Sequence, residues 1–272
     1  MSKGVFHMDL LKNGCRRHGI LAALVLGVAA IAVLFGFEVL LIRGLGLPGI
    51  LSATAIRFIL GALMILLLLK LEVAEKLGFT GKGLGKSLLL AWPFFLLFAG
   101  ILALSFISAN VSDKGISWSW LLAQIVFMTS VAFFEELVFR AGVVNLVKNG
   151  LGASRSSSIK TAVIAGLIFS LAHCLNLIGQ ADLSYTLTQV ISNFGMGLFL
   201  STIYLRTGNL VGPMIFHAVN DIVPAVAVEY LAGSPSASAG AAGGVSPTVL
   251  VTFVLYVGLS AFYLRRVGKK QS

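Results

Sequence analysis

From residue 19 onward the chain returns repeatedly to apolar stretches about as long as a bilayer is thick. They cover about 19–42, 48–71, 88–109, 118–147, 160–179, 184–206, 209–232 and 248–265. At ~1.5 Å of rise per residue, about 20 such residues carry a helix across the hydrocarbon. Lipid offers the backbone no hydrogen-bond partner, so these stretches must satisfy their own N–H and C=O groups, as helices do. The chain is 58% hydrophobic and only 11% charged, against about 25% charged in soluble domains. This predicts an all-α polytopic membrane protein, a bundle of about eight transmembrane helices. The first stretch follows basic residues, as the apolar part of a signal peptide does, but it is too long and no small-residue cleavage pattern follows. It is expected to stay as a helix.

Lysine and arginine are retained on the cytoplasmic side of membrane proteins. With the N-terminus inside, sixteen of the twenty Lys and Arg residues fall on inner segments. Only Arg43 and Lys114 fall outside, while Arg57 and Arg140 lie within helices. Both termini are therefore expected in the cytoplasm. The organisation expected is a cytoplasmic segment over 1–18, one helical domain over 19–265 and a cytoplasmic tail over 266–272. The net charge of +10 then lines one membrane face and favours anionic headgroups, and no nucleic-acid partner is needed to explain it. Cys15 and Cys174 give no disulfide framework. The Gly- and Lys-rich segment 72–87 is expected to be a solvated connection, and the small-residue run Gly233 to Pro247 a flexible linker.

Charges inside hydrocarbon need a partner, a wet cavity or a function. The embedded set is Glu38, Arg57, Glu135, Glu136, Arg140, His173, His217, Asp221 and Glu229. Glu135 stands thirteen residues before Lys148, His173 thirteen after Lys160 and His217 eleven after Arg206. These separations put a carboxylate and two imidazoles of three helices at one depth, roughly 16–20 Å in. Glu136 and Arg140 are four apart and can pair on one helix face, while Glu135 is turned about 100° away, free to face a cavity. His217 and Asp221 share the same spacing, which lets the carboxylate orient the imidazole. Phe169, four before His173, is placed to wall that ring. Glu38 and Arg57 read as a structural ion pair near the outer ends of adjacent helices, Glu229 as reaching the interface, and "SWSW" at 117–120 as an interfacial belt.

Three short motifs carry a resemblance. "EELVFR" at 135–140 fits E-E-x-x-x-R, "FSLAH" at 169–173 fits F-x-x-x-H, and "HAVND" at 217–221 fits H-x-x-x-N/D. In that order they resemble the CAAX protease and bacteriocin-processing (CPBP, or Abi) family of intramembrane proteases, over a catalytic core of about 118–225. The resemblance implies an endopeptidase of the plasma membrane of a prokaryote. Its substrate would be a membrane-associated peptide or protein, prenylated or a small bacteriocin-like peptide. It implies Glu135 as general base, His173 holding the same water, and His217, tuned by Asp221, as donor to the oxyanion or the leaving amine. Glu136 and Arg140 would brace the helix, Arg140 also being able to meet a substrate carboxylate, with Phe169 and Asn220 as binding or support residues. Where several relatives have Asn, this chain has Asp221.

Two alternatives stay open at this level. Glu135, His173 and His217 match the ligand types of a catalytic zinc site with one open position. There is no H-E-x-x-H, however, and the same groups can activate water without a metal. The second concerns class: mid-membrane Glu, His and Asp also build proton relays in transporters, although no pair of Gly/Pro-broken helices marks two matching halves. A non-enzymatic scaffold or immunity factor keeping this fold is the third reading.

Overall fold

The computed structural model describes residues 11–15, 17–74, 76–108, 117–152, 154–178, 183–231 and 247–265. Among them the chain is helical, without a strand. Helix α1 (Gly19–Glu38) runs into a π-helical segment, Val39–Gly44, and is followed by α2 (Gly49–Lys70) and α3 (Leu84–Ser108). A long rod then joins α4 (Trp118–Glu136), a second π segment (Leu137–Val144) and α5 (Asn145–Leu151). After it come α6 (Arg155–Ala172) with a 3-10 turn (His173–Ile178), α7 (Leu183–Thr207), α8 (Val211–Leu231) and α9 (Pro247–Leu264). Serines start two of these helices by accepting a free backbone N–H: Ser117 from Trp120 and Ser154 from Ser157.

Five helices among the described residues are long and apolar enough to cross a membrane: Gly19–Gly44, Gly49–Lys70, Leu84–Leu104, Trp118–Leu151 and Arg155–Leu175. Val211–Ala227 and Thr248–Leu264 are apolar but shorter. Helix α7 differs for a physical reason. Its Gly195–Tyr204 stretch is buried, so packing rather than lipid decides its composition. Ser201 and Thr202 satisfy their hydroxyls on the carbonyls of Gly197 and Leu198 four residues back. Outward faces elsewhere carry exposed Leu21, Leu24, Val25, Leu63, Leu66 and Leu96, a surface that suits lipid rather than water.

Small residues set the helix contacts, as they do where lipid leaves packing as the driving force. Helix α1 buries Gly19, Ala23, Gly27, Ala30 and Leu34 along one seam, against the long rod. A Cβ on Gly19 would lie 2.2 Å from the Leu146 carbonyl oxygen. Gly19→Ala is therefore expected to force α1 off α5 and to cost about 1–3 kcal/mol, the usual range for overpacking. Gly36→Ala, where a Cβ meets nothing within 4 Å, is the control. Thermal unfolding of both variants in detergent checks this, and equal midpoints would refute the contact. A comparable approach joins α6 to α7, where a Cβ on Gly197 would come within 2.8 Å of the Phe169 ring.

The segment 72–87 is a solvated connection only in part: Lys76, Lys82 and Lys86 are exposed, as expected, but the segment is also docked. Val73, Leu77 and Gly78 are buried, Leu210 N–H donates to the Gly78 carbonyl, and Asn209 donates to the carbonyls of Thr80 and Lys82 at 2.6 and 3.2 Å. Gly78 makes this possible by adopting φ +91° in a space where a Cβ would lie 2.6 Å from the Gly208 carbonyl. Glycine here serves docking, not mobility. Most of the run expected as a flexible linker, 232–246, lies outside the described residues.

Candidate active site

The long rod changes pitch where its charges stand. Helix α4 ends at Glu136 and the π segment begins at Leu137, with all eight of its residues buried. Wide i→i+5 turns of this kind occur mostly as local insertions in α-helices, often at functional sites. Within it Arg140 Nη1 lies 2.8 Å from Glu136 Oε1, both side chains being wholly buried. The guanidinium also sits 4.5 Å over the Phe169 ring, a cation–π contact strengthened by desolvation. Of the two roles expected for Arg140, its burial beside Glu136 fits support.

His217, from α8, completes this layer. Its Nδ1 lies 2.8 Å from Glu136 Oε1, its Nε2 3.4 Å from Asp221 Oδ2 and 3.8 Å from Glu135 Oε2. The two glutamates are adjacent in sequence and point about 100° apart, yet both reach one imidazole because its nitrogens lie on opposite sides of the ring. Asp221 therefore does sit beside His217, as the spacing implied. The closer partner is Glu136, eighty-one residues away, which the sequence pairs with Arg140 and places in the catalytic set without a contact to His217.

His173 closes α6. One ring nitrogen, Nδ1, donates to the Phe169 carbonyl at 3.0 Å, which leaves Nε2 for the cavity. Phe169 stands edge-on to both histidines, with ring centres 5.0 Å from His173 and 6.0 Å from His217, and to Phe139 at 4.9 Å. It walls His173 as expected and separates the two imidazoles as well. Glu135 and His173 line one cavity of about 110 Å³, room for roughly three or four waters.

That cavity has two further charged residues, Glu38 and Arg57. They form the ion pair expected between α1 and α2, and Arg57 also donates to the Ala53 carbonyl and lies 5.1 Å from the Phe127 ring centre. The pair does not stand apart from the candidate residues as a purely structural bridge would. A signal was available: Arg57 stands thirteen residues before Lys70, the register used to group Glu135 and His173. Asn220 bridges Asp221 to Tyr256 of α9, a residue no motif marked. Glu229 is exposed. A larger cavity, about 870 Å³, is lined by Glu72, Lys76, Asn145, Lys148 and Tyr204 and contains none of the candidate residues.

The zinc alternative meets a poor donor set. Both nitrogens of His217 face carboxylates, and no group of three His, Cys, Asp or Glu residues able to hold a metal ion occurs among the described residues. The residues as arranged do not fit a catalytic zinc, and no chemical step is assigned to one.

The arrangement brings a partly accessible carboxylate and one imidazole to one pocket, with the second imidazole 3.8 Å from that carboxylate and a buried carboxylate–guanidinium pair beyond it. Residues 117–223 match the family model described as type II CAAX prenyl endopeptidase, Rce1-like. Over this segment the chain is similar to the Rce1-like CAAX endopeptidase family. The match agrees with the resemblance carried by the three motifs, and the matched segment contains every candidate from Glu135 to Asp221. The match points to a protease and, with the apolar helices, to an integral membrane protein. No curated protein and no solved structure matches the chain.

Proposed function

We propose that this protein is an intramembrane endopeptidase that hydrolyses a peptide bond of a membrane-associated or lipidated substrate, using water activated by Glu135 and His173. The observation that carries this reading is the shared cavity of Glu135 and His173, with His217 Nε2 3.8 Å from the same carboxylate. Water would attack the scissile carbonyl carbon as its proton passes to Glu135, while His173 Nε2 holds the water in line. The carbonyl oxygen would become the oxyanion of a tetrahedral intermediate, and His217 would donate to it. The C–N bond then breaks, and the proton taken by Glu135 leaves on the amine. Asp221 and Glu136 hold the His217 ring from its two sides, and Arg140 balances the charge of Glu136.

The Lys and Arg distribution supports an eight-span bundle with both termini in the cytoplasm, which gives the cavity a membrane-embedded setting, and the resemblance favours a prokaryotic cell. An apolar cavity of about 390 Å³ between α2, α4 and α8, lined by Phe58, Phe133, Met214, Ala218 and Ile222, adjoins the α8 face that carries His217. It is suited to an apolar part of the substrate and favours a lipidated peptide over a plain one.

Purified protein in detergent, offered fluorogenic peptides in prenylated, bacteriocin-like and plain forms, is expected to cleave at least one, with the prenylated form preferred. A strong chelator is expected to leave the rate within a factor of about two, since Glu135 can act as base unaided. Loss of activity on chelation, restored by zinc, would overturn the metal-independent mechanism. Absence of cleavage across the panel would return the chain to the scaffold reading.

A further inference from the structure

Helix α9 lies outside the family match, which ends at residue 223, yet it sends one polar atom toward the site. Tyr256 is 2% exposed. Its ring stacks on Phe94 at 4.3 Å with planes 20° apart, and it touches Phe199 and Phe216 at 5.5 and 6.2 Å. Three aromatic neighbours fix the ring and so aim the hydroxyl. That hydroxyl donates to Asn220 Oδ1 at 2.8 Å, and Asn220 Nδ2 donates to Asp221 Oδ1 at 3.1 Å. The other carboxylate oxygen, Oδ2, is the one facing His217 Nε2 at 3.4 Å.

The direction of each bond follows from chemistry. A reversed Asn220 amide would set its oxygen against the Asp221 carboxylate, two acceptors with no proton between them. The carboxylate therefore requires the NH₂ on its side, which turns the amide oxygen to α9 and requires a donor there. Phenylalanine at 256 would fill the same space and supply none.

Asp221 needs such a restraint. Its side chain is 26% exposed, and its helix already brings it toward the carboxylate of Glu135, which approaches the same His217 nitrogen from 3.8 Å. Like charges at one nitrogen repel, and a partly exposed carboxylate is free to swing away.

We infer that Tyr256 is a positioning residue that, through Asn220, holds Asp221 against His217, so that α9 sets the orientation of the imidazole. The inference rests on the protease reading for its kinetic consequence but not for its structural one. The test uses the full chain in detergent and compares wild type, Tyr256→Phe, Asn220→Ala and the double variant. On a peptide that wild type cleaves, each single substitution is expected to lower kcat about tenfold with KM unchanged, the size seen when a group behind a site residue is removed. The double variant should fall no lower than Asn220→Ala, because the two act in series.

The second readout is ¹⁵N spectra of histidine-labelled protein, with His217 assigned by its loss in His217→Gln. The His217 ring-nitrogen signals are expected to move in Tyr256→Phe while those of His173 stay. Unmoved His217 signals would overturn the inference, whatever happens to activity, since a lower rate with an undisturbed ring means Tyr256 only packs. Additive losses in the double variant would overturn it too. If wild type cleaves no peptide, the protease reading fails alone, and the His217 signals still decide the relay.

Discussion

Glu135→Gln is expected to lower kcat about a thousandfold and to leave KM nearly unchanged. Glutamine keeps the shape of the side chain and its place beside His173 and His217, so the cavity of about 110 Å³ keeps its lining. What it loses is the ability to accept a proton from water, and a positioned general base contributes about 10²–10⁴ in rate. A group used in the transition state and not in substrate binding appears in kcat with KM preserved. Glu135 is also the better exposed of the two glutamates, its side chain at 15% against none for Glu136. The check is steady-state cleavage of the best peptide, with His173→Ala alongside as the second water-holding group. Cleavage by Glu135→Gln within a factor of about three of wild type would remove Glu135 from the chemistry. It would point to Asp221, the accessible carboxylate that remains beside His217.

The fold was legible where lipid dictates composition and less so where protein covers the helix. Apolar length marked all eight segments, 184–206 among them, although α7 hides Ser201, Thr202 and its glycines among neighbours and is not one of the five described helices long and apolar enough to cross a membrane. The docking of segment 72–87 was hidden because Asn209, which binds it, is more than a hundred residues away and carries no periodic signal. In the site, spacing within one helix read well: Glu136 with Arg140, His217 with Asp221 and Phe169 with His173 are all neighbours at four residues. Between helices, only the Glu38–Arg57 pair read from the sequence. Glu136 reaches His217, and Arg57 shares the cavity of Glu135, through packing that a single helix cannot announce. The π segment after Glu136 was invisible as well, since one extra residue per turn leaves no trace in an apolar run.

The buried pair gives the largest expected effect on stability, and its variants separate bracing from chemistry. Arg140→Met removes the cation 2.8 Å from Glu136 Oε1 and the contact over Phe169, leaving a wholly buried carboxylate beside a histidine. Breaking one side of such a pair typically costs about 3–5 kcal/mol, because the remaining charge loses its partner and gains no water. Replacing both members relieves that cost, so Glu136→Gln with Arg140→Met is expected to recover most of the lost stability. Chemical unfolding in detergent measures the three proteins. Activity should behave differently, because Glu136 also holds His217 Nδ1 at 2.8 Å and glutamine places a neutral amide there. The double variant is therefore expected to be folded and stable but slow. A double variant as active as wild type would reduce the pair to a brace, whereas an unstable one would mean that His217 or Phe169 depends on the charges themselves. The expected result, stability restored without activity, assigns one buried carboxylate two tasks: closing the helix on Arg140 and setting the imidazole across from Glu135.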